Sequence, residues 1–122
     1  MVGGRNYTAA VASLFDGRCD VIVRTHDTDA ASGRAVTVEK TVIRGEPCRI
    51  SFRSVSPAAR VSVGARATQE ITLFIARDVT IPAGSKIVVT QNGVRGVYAQ
   101  AGEPAVYSSH REVPLKLFER WA

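Results

Sequence analysis

The feature that most constrains this chain is an alternation of apolar and polar residues with a period of two, which recurs in four segments after Gly17. Successive side chains of a β-strand point to opposite faces, so each segment predicts a half-buried strand with one apolar face. The four apolar sets are Cys19, Val21 and Val23; Cys48, Ile50 and Phe52; Ile71, Leu73 and Ile75; and Val113, Leu115 and Leu117.

Further strands and their turns are predicted from residue type. The stretch 35–43 is rich in β-branched residues, and the polar HDTDAASGR before it is typical of a hairpin loop. Asn92-Gly93 tolerates the positive φ of a type I′ turn, so strands over 86–91 and 94–99 are expected to form a hairpin. The last strand is predicted over 107–118, with Pro114 at an edge or a bulge because proline cannot donate to the ladder.

The N-terminal residues predict a different element. Asn6 can cap a short helix that ends near Gly17, and four apolar residues share one face of it: Tyr7, Val11, Leu14 and Phe15. A helix of this length is marginal by itself. We therefore expect residues 1–17 to form an N-terminal arm that packs on the body of the domain or on a neighbouring subunit.

Together these elements predict one all-β domain over residues 1–122. A chain of 122 residues can form a single core, which removes roughly two-thirds of its unfolded surface from water. About seven short strands favour a small β-barrel or compact sandwich, with the short N-terminal helix and a long inserted loop over residues 55–68. Connections of that length within a small domain are usually functional or disordered.

The net charge of +5 is concentrated in one segment. From Lys40 to Arg66 there are six basic residues and one acid, Glu46, whereas the charges of the remaining segments cancel. This pattern predicts a local surface for a polyanion or an acidic partner; a solvated strand face is the alternative. The basic residues are Lys40, Arg44, Arg49, Arg53, Arg60 and Arg66.

Several function classes are disfavoured by the sequence. The apolar runs are far shorter than the ~20 residues that cross a bilayer, and the first residues lack a signal-peptide pattern, so we expect synthesis in the cytosol and no membrane contact. Cys19 and Cys48 lack metal-ligand spacing. We expect two buried free thiols, with a disulfide as the alternative.

Ser109 and His110 are the residues that most resemble catalytic groups. Neighbours on a strand point to opposite faces, so these two side chains are predicted not to bond each other, whereas Ser108 and Glu112 could share the side of His110. We cannot identify an oxyanion hole. The group around His26 is more typical of a polar hairpin loop than of a metal site. We therefore expect no enzyme activity, no catalytic residues, no metal and no cofactor.

The C-terminal half resembles a known family. TQEITLFIARDVTIPAGSKIVVTQNG and VYAQAGEPAVYSSHREVPLKLFERWA are similar, in the order and spacing of their motifs, to the small head-closure (stopper) proteins of the phage and prophage head-tail connector. The motifs are Ile-Pro-Ala-Gly-Ser-Lys-Ile at 81–87, Gln-Asn-Gly at 91–93, Ala-Gly-Glu-Pro at 101–104 and Tyr-Ser-x-His-x-Glu at 107–112. The N-terminal half resembles the family in its order of elements and in the Pro-Cys-Arg-Ile-Ser strand at 47–51.

This resemblance implies a structural virion protein of the phage neck, assembled in the cytoplasm of the bacterial host. Such subunits form a homo-oligomeric ring of six or twelve copies beneath the adaptor and portal proteins. After packaging, a loop from each subunit closes the exit channel of the double-stranded DNA, without sequence specificity, and the opposite face receives the tail. The family has no enzyme activity, and its fold is a β-barrel with a long inserted loop.

The resemblance also suggests functional residues. A channel loop needs small side chains and conformational freedom, and its arginines can hold phosphates without reading sequence; the candidates are Ser56, Arg60, Ser62, Gly64 and Arg66. Aromatic residues dominate interface energetics, so the oligomer or tail contacts are predicted at Tyr107, His110, Phe118 and Trp121. The alternatives are that the loop covers the barrel or a neighbour, and that the aromatic residues complete the core of their own chain.

Other functions are left open by the sequence. A tail terminator or tail-completion protein of the same neck would also be a small β-rich protein that forms rings. A small barrel that binds single-stranded nucleic acid fits the charge, but such proteins present stacking aromatic residues on a basic groove, and Phe52 is predicted to face the core. An enzyme is disfavoured because no polar residues are predicted to converge.

Overall fold

The computed structural model describes residues 13–55 and 68–121, and in this part of the chain every regular element is a strand. The elements are β1 (Gly17–Thr28), β2 (Ala35–Val55), β3 (Thr68–Ile75), β4 (Lys86–Gln91), β5 (Val94–Gln100), β6 (Ala105–Val106) and β7 (Arg111–Leu117). The prediction of an all-β domain with about seven strands is confirmed.

Most of the predicted N-terminal helix, through residue 12, lies outside the described residues. Ser13 and Leu14 form a turn, and Phe15 is buried before β1 begins. The described part of the chain contains no helix that could cross a membrane.

The strands form one antiparallel sheet that closes on itself. Its order is β3-β2-β1-β4-β5-β7-β6, and a further pairing joins β3 to β7. β7 meets β5 through only three residue pairs, from Tyr98↔Leu117 to Gln100↔Leu115, whereas β3 and β2 are paired along the whole of β3. The sheet is therefore ring-like without being a true barrel, and the weak seam lies between β5 and β7.

β2 is longer than predicted, because the stretches 35–43 and 47–54 belong to one strand of 21 residues. The strand passes an irregular point near Gly45, where the register between β1 and β2 shifts. Gly45 has a φ of 62°, and its N–H donates to Asp20 Oδ1 at 2.8 Å. Glycine adopts positive φ without a steric penalty, so β2 continues through a local irregularity at Gly45 instead of ending between the two predicted strands.

The core is formed by the inward faces of the strands, as the alternation predicts. Its fully buried side chains include Val21, Leu73, Ile75, Ile87, Val89 and Val113. Cys19 and Cys48 are also buried there as free thiols. Hydrogen bonding to Cys48 and burial raise the pKa of the Cys19 thiol, so this thiol stays protonated.

The turns explain how the C-terminal strands are placed. Asn92 and Gly93 have φ values of 52° and 76°, which confirms the predicted turn. The predicted strand over 107–118 is corrected at its start, because β7 begins at Arg111 and a turn closed by Tyr107 N–H to the His110 carbonyl (2.8 Å) joins it to β6.

Pro114 lies inside β7, opposite Thr72 of β3. Its carbonyl accepts a hydrogen bond from Ala101 N–H at 2.7 Å, in the gap between the short pairings of β7 with β6 and with β5. Since the N–H and C=O of one strand residue point to the same side, the donor that proline lacks would also face this gap. Pro114 therefore removes no bond from the ladder with β3.

Candidate assembly surfaces

The predicted channel loop connects β2 to β3. Val55 and Thr68 are a register pair, so the connecting residues leave and re-enter the sheet at the same point. The candidate residues themselves lie outside the described part of the chain, and their role stays a prediction: Ser56, Arg60, Ser62, Gly64 and Arg66.

Phe52 lies close to this end of the sheet, and the prediction that it is buried in the core is wrong. Its side chain is 49% exposed, although alternation puts it on the same face as the buried Cys48 and Ile50. Its ring centroid lies 6.5 Å from that of Tyr98. Phe52 therefore occupies the inner face at a height where the opposite strands no longer cover it.

The turn before β7 brings together Ser109, His110 and Glu112. Ser109 Oγ lies 2.9 Å from His110 Nδ1, and His110 Nε2 lies 2.8 Å from Glu112 Oε2. A carboxylate only accepts, so His110 Nε2–H donates to Glu112; in the neutral ring, Nδ1 then accepts the Ser109 hydroxyl. The prediction that Ser109 and His110 cannot bond is wrong, because both residues lie in a turn rather than on a strand.

The ring of His110 is also held by aromatic neighbours. It stacks on Tyr107 with centroids 5.0 Å apart and an interplanar angle of 19°, and the centroid of Phe74 is 5.8 Å away. Beside it is a cavity of about 340 Å³, lined by Leu14, Phe15, Arg49, Ser51, Phe74, His110 and Glu112. These contacts fix the turn between β6 and β7 and leave Tyr107 half exposed.

Phe118 and Trp121 form a second aromatic pair, on the chain after β7. Their centroids are 5.2 Å apart in an edge-on arrangement, and Lys86 Nζ lies 5.3 Å from each ring centroid. Trp121 Nε1–H donates to Glu39 Oε2 at 3.2 Å, and the Arg24 guanidinium lies 5.8 Å from the Trp121 centroid. Phe118 and Trp121 thus pack against side chains of β1, β2 and β4 of their own chain.

Glu39 is the electrostatic centre of this cluster. Lys86 Nζ donates to Glu39 Oε1 at 3.0 Å, and this bond, followed by the bond from Trp121, lowers the pKa of the Glu39 carboxyl. The four predicted contact residues therefore fall into two pairs, Tyr107 with His110 and Phe118 with Trp121. Their role in binding another molecule stays a prediction.

A groove lies between this C-terminal segment and the seam of the sheet. We call it the C-terminal groove; its volume is about 530 Å³, and its lining is Gln69, Ile71, Ala99, Leu115, Lys116, Leu117, Glu119, Arg120 and Trp121. Leu117 is 66% exposed, and Ile71 and Leu115 supply further apolar surface. Alternation places Leu117 after two core residues of β7, but the strand ends there and nothing among the described residues buries it.

Ion pairs neutralise part of the predicted basic surface. Arg49 pairs with Asp16 at 3.4 Å and Arg53 with Glu70 at 2.6 Å, both on the outside of the sheet. Exposed ion pairs of this kind contribute little stability, but they reduce the local positive potential. In residues 13–55 and 68–121 there is also no group of three His, Cys, Asp or Glu side chains that could hold a metal ion.

Comparison with known proteins places few constraints on the chain. No protein-family model and no curated protein matches it. A solved structure, the phage-like element PBSX protein xkdH from Bacillus subtilis, is similar with a TM-score of 0.48 and 11% sequence identity, over 82% of this chain and 91% of that chain. This likeness is too weak to support a conclusion about function.

Proposed function

We propose that the protein is a ring-forming subunit of the phage neck that closes the DNA exit channel after packaging and presents a docking surface for the tail. The observation that carries the proposal is the pair Val55↔Thr68: residues 56–67 are inserted between two strands of a closed all-β sheet. This is the architecture that the resemblance over residues 69–122 implies.

The order of motifs supports the same proposal. The 81–87 motif lies across the turn that leads into β4, and the Gln-Asn-Gly motif forms the β4–β5 turn. The Tyr-Ser-x-His-x-Glu motif forms the hydrogen-bonded turn into β7. These three motifs therefore each have a structural task in the sheet, which is what a family defined by its fold rather than by catalysis requires.

In this proposal, residues 56–67 of each subunit approach the channel axis, where symmetry multiplies the charges of Arg60 and Arg66. The partners are further copies of the chain, the adaptor and portal proteins above, the tail below and packaged double-stranded DNA. Arginine binds phosphates without base contacts, as retention of an arbitrary genome requires.

Deletion of the gene from the parent phage or prophage tests the proposal. We expect tailless heads that have packaged and then lost their DNA, beside complete free tails, when induced particles are imaged and packaged DNA is measured. Full heads that retain DNA, with malformed or overlong tails, would instead assign the protein to the tail terminator. Normal particles would overturn both virion functions.

A further inference from the structure

A two-stranded ribbon extends beyond the closed sheet. β1 pairs with β4 only over Arg18–Ile22, and β2 pairs with β3 only over Cys48–Val55. Residues 23–28 and 35–40 therefore pair only with each other among the described strands. We call these two segments the ribbon. An isolated hairpin of two strands is marginally stable in water, so a ribbon of this length gains stability when one face is covered.

One face of the ribbon is already covered near its base by its own chain. Arg24 and Glu39 are a register pair, and both contact Trp121, through a cation–π contact and a hydrogen bond. These residues share a face because cross-strand partners point to the same side of a pair.

The opposite face is open and carries two exposed valines. Val36 and Val38 are each 38% exposed, and their register partners are Asp27 and Thr25. Because side chains alternate, this valine face points away from the Trp121 of its own chain. Since Trp121 also lines the C-terminal groove, the valine face is directed away from the groove of the same molecule.

The C-terminal groove is complementary to the valine face in hydrophobicity and in charge. Its floor is apolar, and its edge carries Lys116 and Arg120 against one acid, Glu119. Neither cation has an ion-pair partner among the residues that the structure describes. The valine face carries the exposed carboxylate of Asp27 opposite Val36 and, two residues after Val38, the exposed ammonium of Lys40 opposite Val23. Asp27 can therefore pair with Lys116 or Arg120 at the edge of the groove, and Lys40 with Glu119, while the valines meet the apolar floor.

We propose that the valine face of the ribbon of one copy binds in the C-terminal groove of a second copy. The occupant is another molecule of the same chain, since the face and the groove of one molecule point in different directions. Such a contact joins two different surfaces, so it repeats from copy to copy and closes into a ring when the rotation permits. The inference rests on the proposed function for its ring geometry, but the contact is tested without a phage.

Site-directed cross-linking of the purified full-length chain tests the contact. The variant V38C/L117C places one thiol on the valine face and one in the groove, whereas T37C/L117C moves the first thiol to the opposite face. Cys19 and Cys48 are buried and give a common background. Under mild oxidation at high protein concentration, we expect on the order of tenfold more covalent oligomer from V38C/L117C, because only its thiols are held together by the contact.

A charge-swap series gives a second readout by sedimentation. Asp27→Lys is expected to weaken self-association, and the added change Lys116→Asp is expected to restore it, because the pair regains opposite charges. Equal cross-linking of the two cysteine pairs, or a charge swap without recovery, would overturn the contact and leave the neck function standing. Normal particles after gene deletion would overturn the neck function and leave a measured contact standing.

Discussion

The side chain of Gln91 completes the backbone hydrogen bonding of Ile50. Gln91 Oε1 accepts the Ile50 N–H at 2.8 Å, and Gln91 Nε2 donates to the Ile50 carbonyl at 3.1 Å. The first register pair of β1 with β2 is Gly17↔Cys48, so β1 provides no partner for Ile50. The amide at the end of β4 thus replaces a missing strand residue.

Gln91→Leu removes both bonds at nearly constant volume. It is expected to lower the free energy of unfolding by about 1–3 kcal/mol, because the Ile50 N–H and C=O lose their partners. Urea denaturation followed by circular dichroism measures the change. Thr90→Ala, at the exposed neighbouring position, is the control and should stay within about 0.5 kcal/mol of the wild type. Equal stabilities of the two variants would contradict the role of Gln91.

Gly17 is needed for the close approach of three strands. A Cβ at this position would lie 3.0 Å from Gln91 Oε1, 3.1 Å from the Cys48 carbonyl oxygen and 3.2 Å from the Thr90 carbonyl oxygen. Gly17→Ala is therefore expected to destabilise the protein by about 1–3 kcal/mol, the usual cost of overpacking. Gly102→Ala is the matched control, since its Cβ would meet only Pro114 Cγ at 3.4 Å. Thermal unfolding of both variants separates the two cases.

Glu39 makes the C-terminal cluster sensitive to acid. Its pKa is lowered in the folded protein, so the interaction contributes stability above the unfolded pKa and loses it as pH falls through the lower, folded value. Lys86→Met should raise the Glu39 pKa more than Trp121→Phe does, because the bond from Lys86 is the larger cause. NMR titration of the Glu39 carboxyl carbon measures both shifts. A larger effect of Trp121→Phe would reverse the assignment of causes.

His110 is expected to stabilise the turn before β7. His110→Ala removes the stacking on Tyr107 and the bonds to Ser109 and Glu112, and should cost about 1–3 kcal/mol. Ser108→Ala, an exposed change in the same turn, should be nearly neutral. Urea denaturation measures both. If His110 served only an interface, its replacement would leave the stability of the isolated chain unchanged and would reduce assembly instead.

The paired variant Arg60→Ala/Arg66→Ala tests the channel function directly. Particles that carry it are expected to attach tails but to lose DNA faster than the wild type under osmotic stress, since the phosphate contacts are missing. Arg95→Ala, an exposed arginine of β5, is the control and should retain DNA. Equal DNA retention by both particles would remove the two arginines from the closure mechanism.

The sequence predicted the strands well because alternation reports directly which face of a strand is buried. Cys19, Ile50, Leu73 and Val113 all lie in the core as expected. Alternation shows on which face of a strand a residue lies, but not whether other strands still cover that face near the end of the strand. Phe52 and Leu117 were therefore predicted to be buried, but they lie near the ends of their strands and are exposed.

The candidate surfaces were less accessible to sequence reasoning. The bonds of His110 depend on a turn that the strand pattern of 107–118 concealed. The hydrogen bond from Trp121 to Glu39 joins residues 82 positions apart, and the C-terminal groove beside it is formed by several strands. Contacts of such sequence separation leave no local periodicity, so only the closed sheet reveals them.

β2 has a mechanical consequence for the whole molecule. It begins at Ala35 in the ribbon and ends at Val55, where the connection to β3 starts. A pull on the ribbon is therefore transmitted along a continuous backbone, past the irregular point at Gly45, to the residue from which 56–67 depart. Tension at one end of this strand is resisted by its pairing with β1 as far as Cys48 and by its pairing with β3 from Cys48 to Val55.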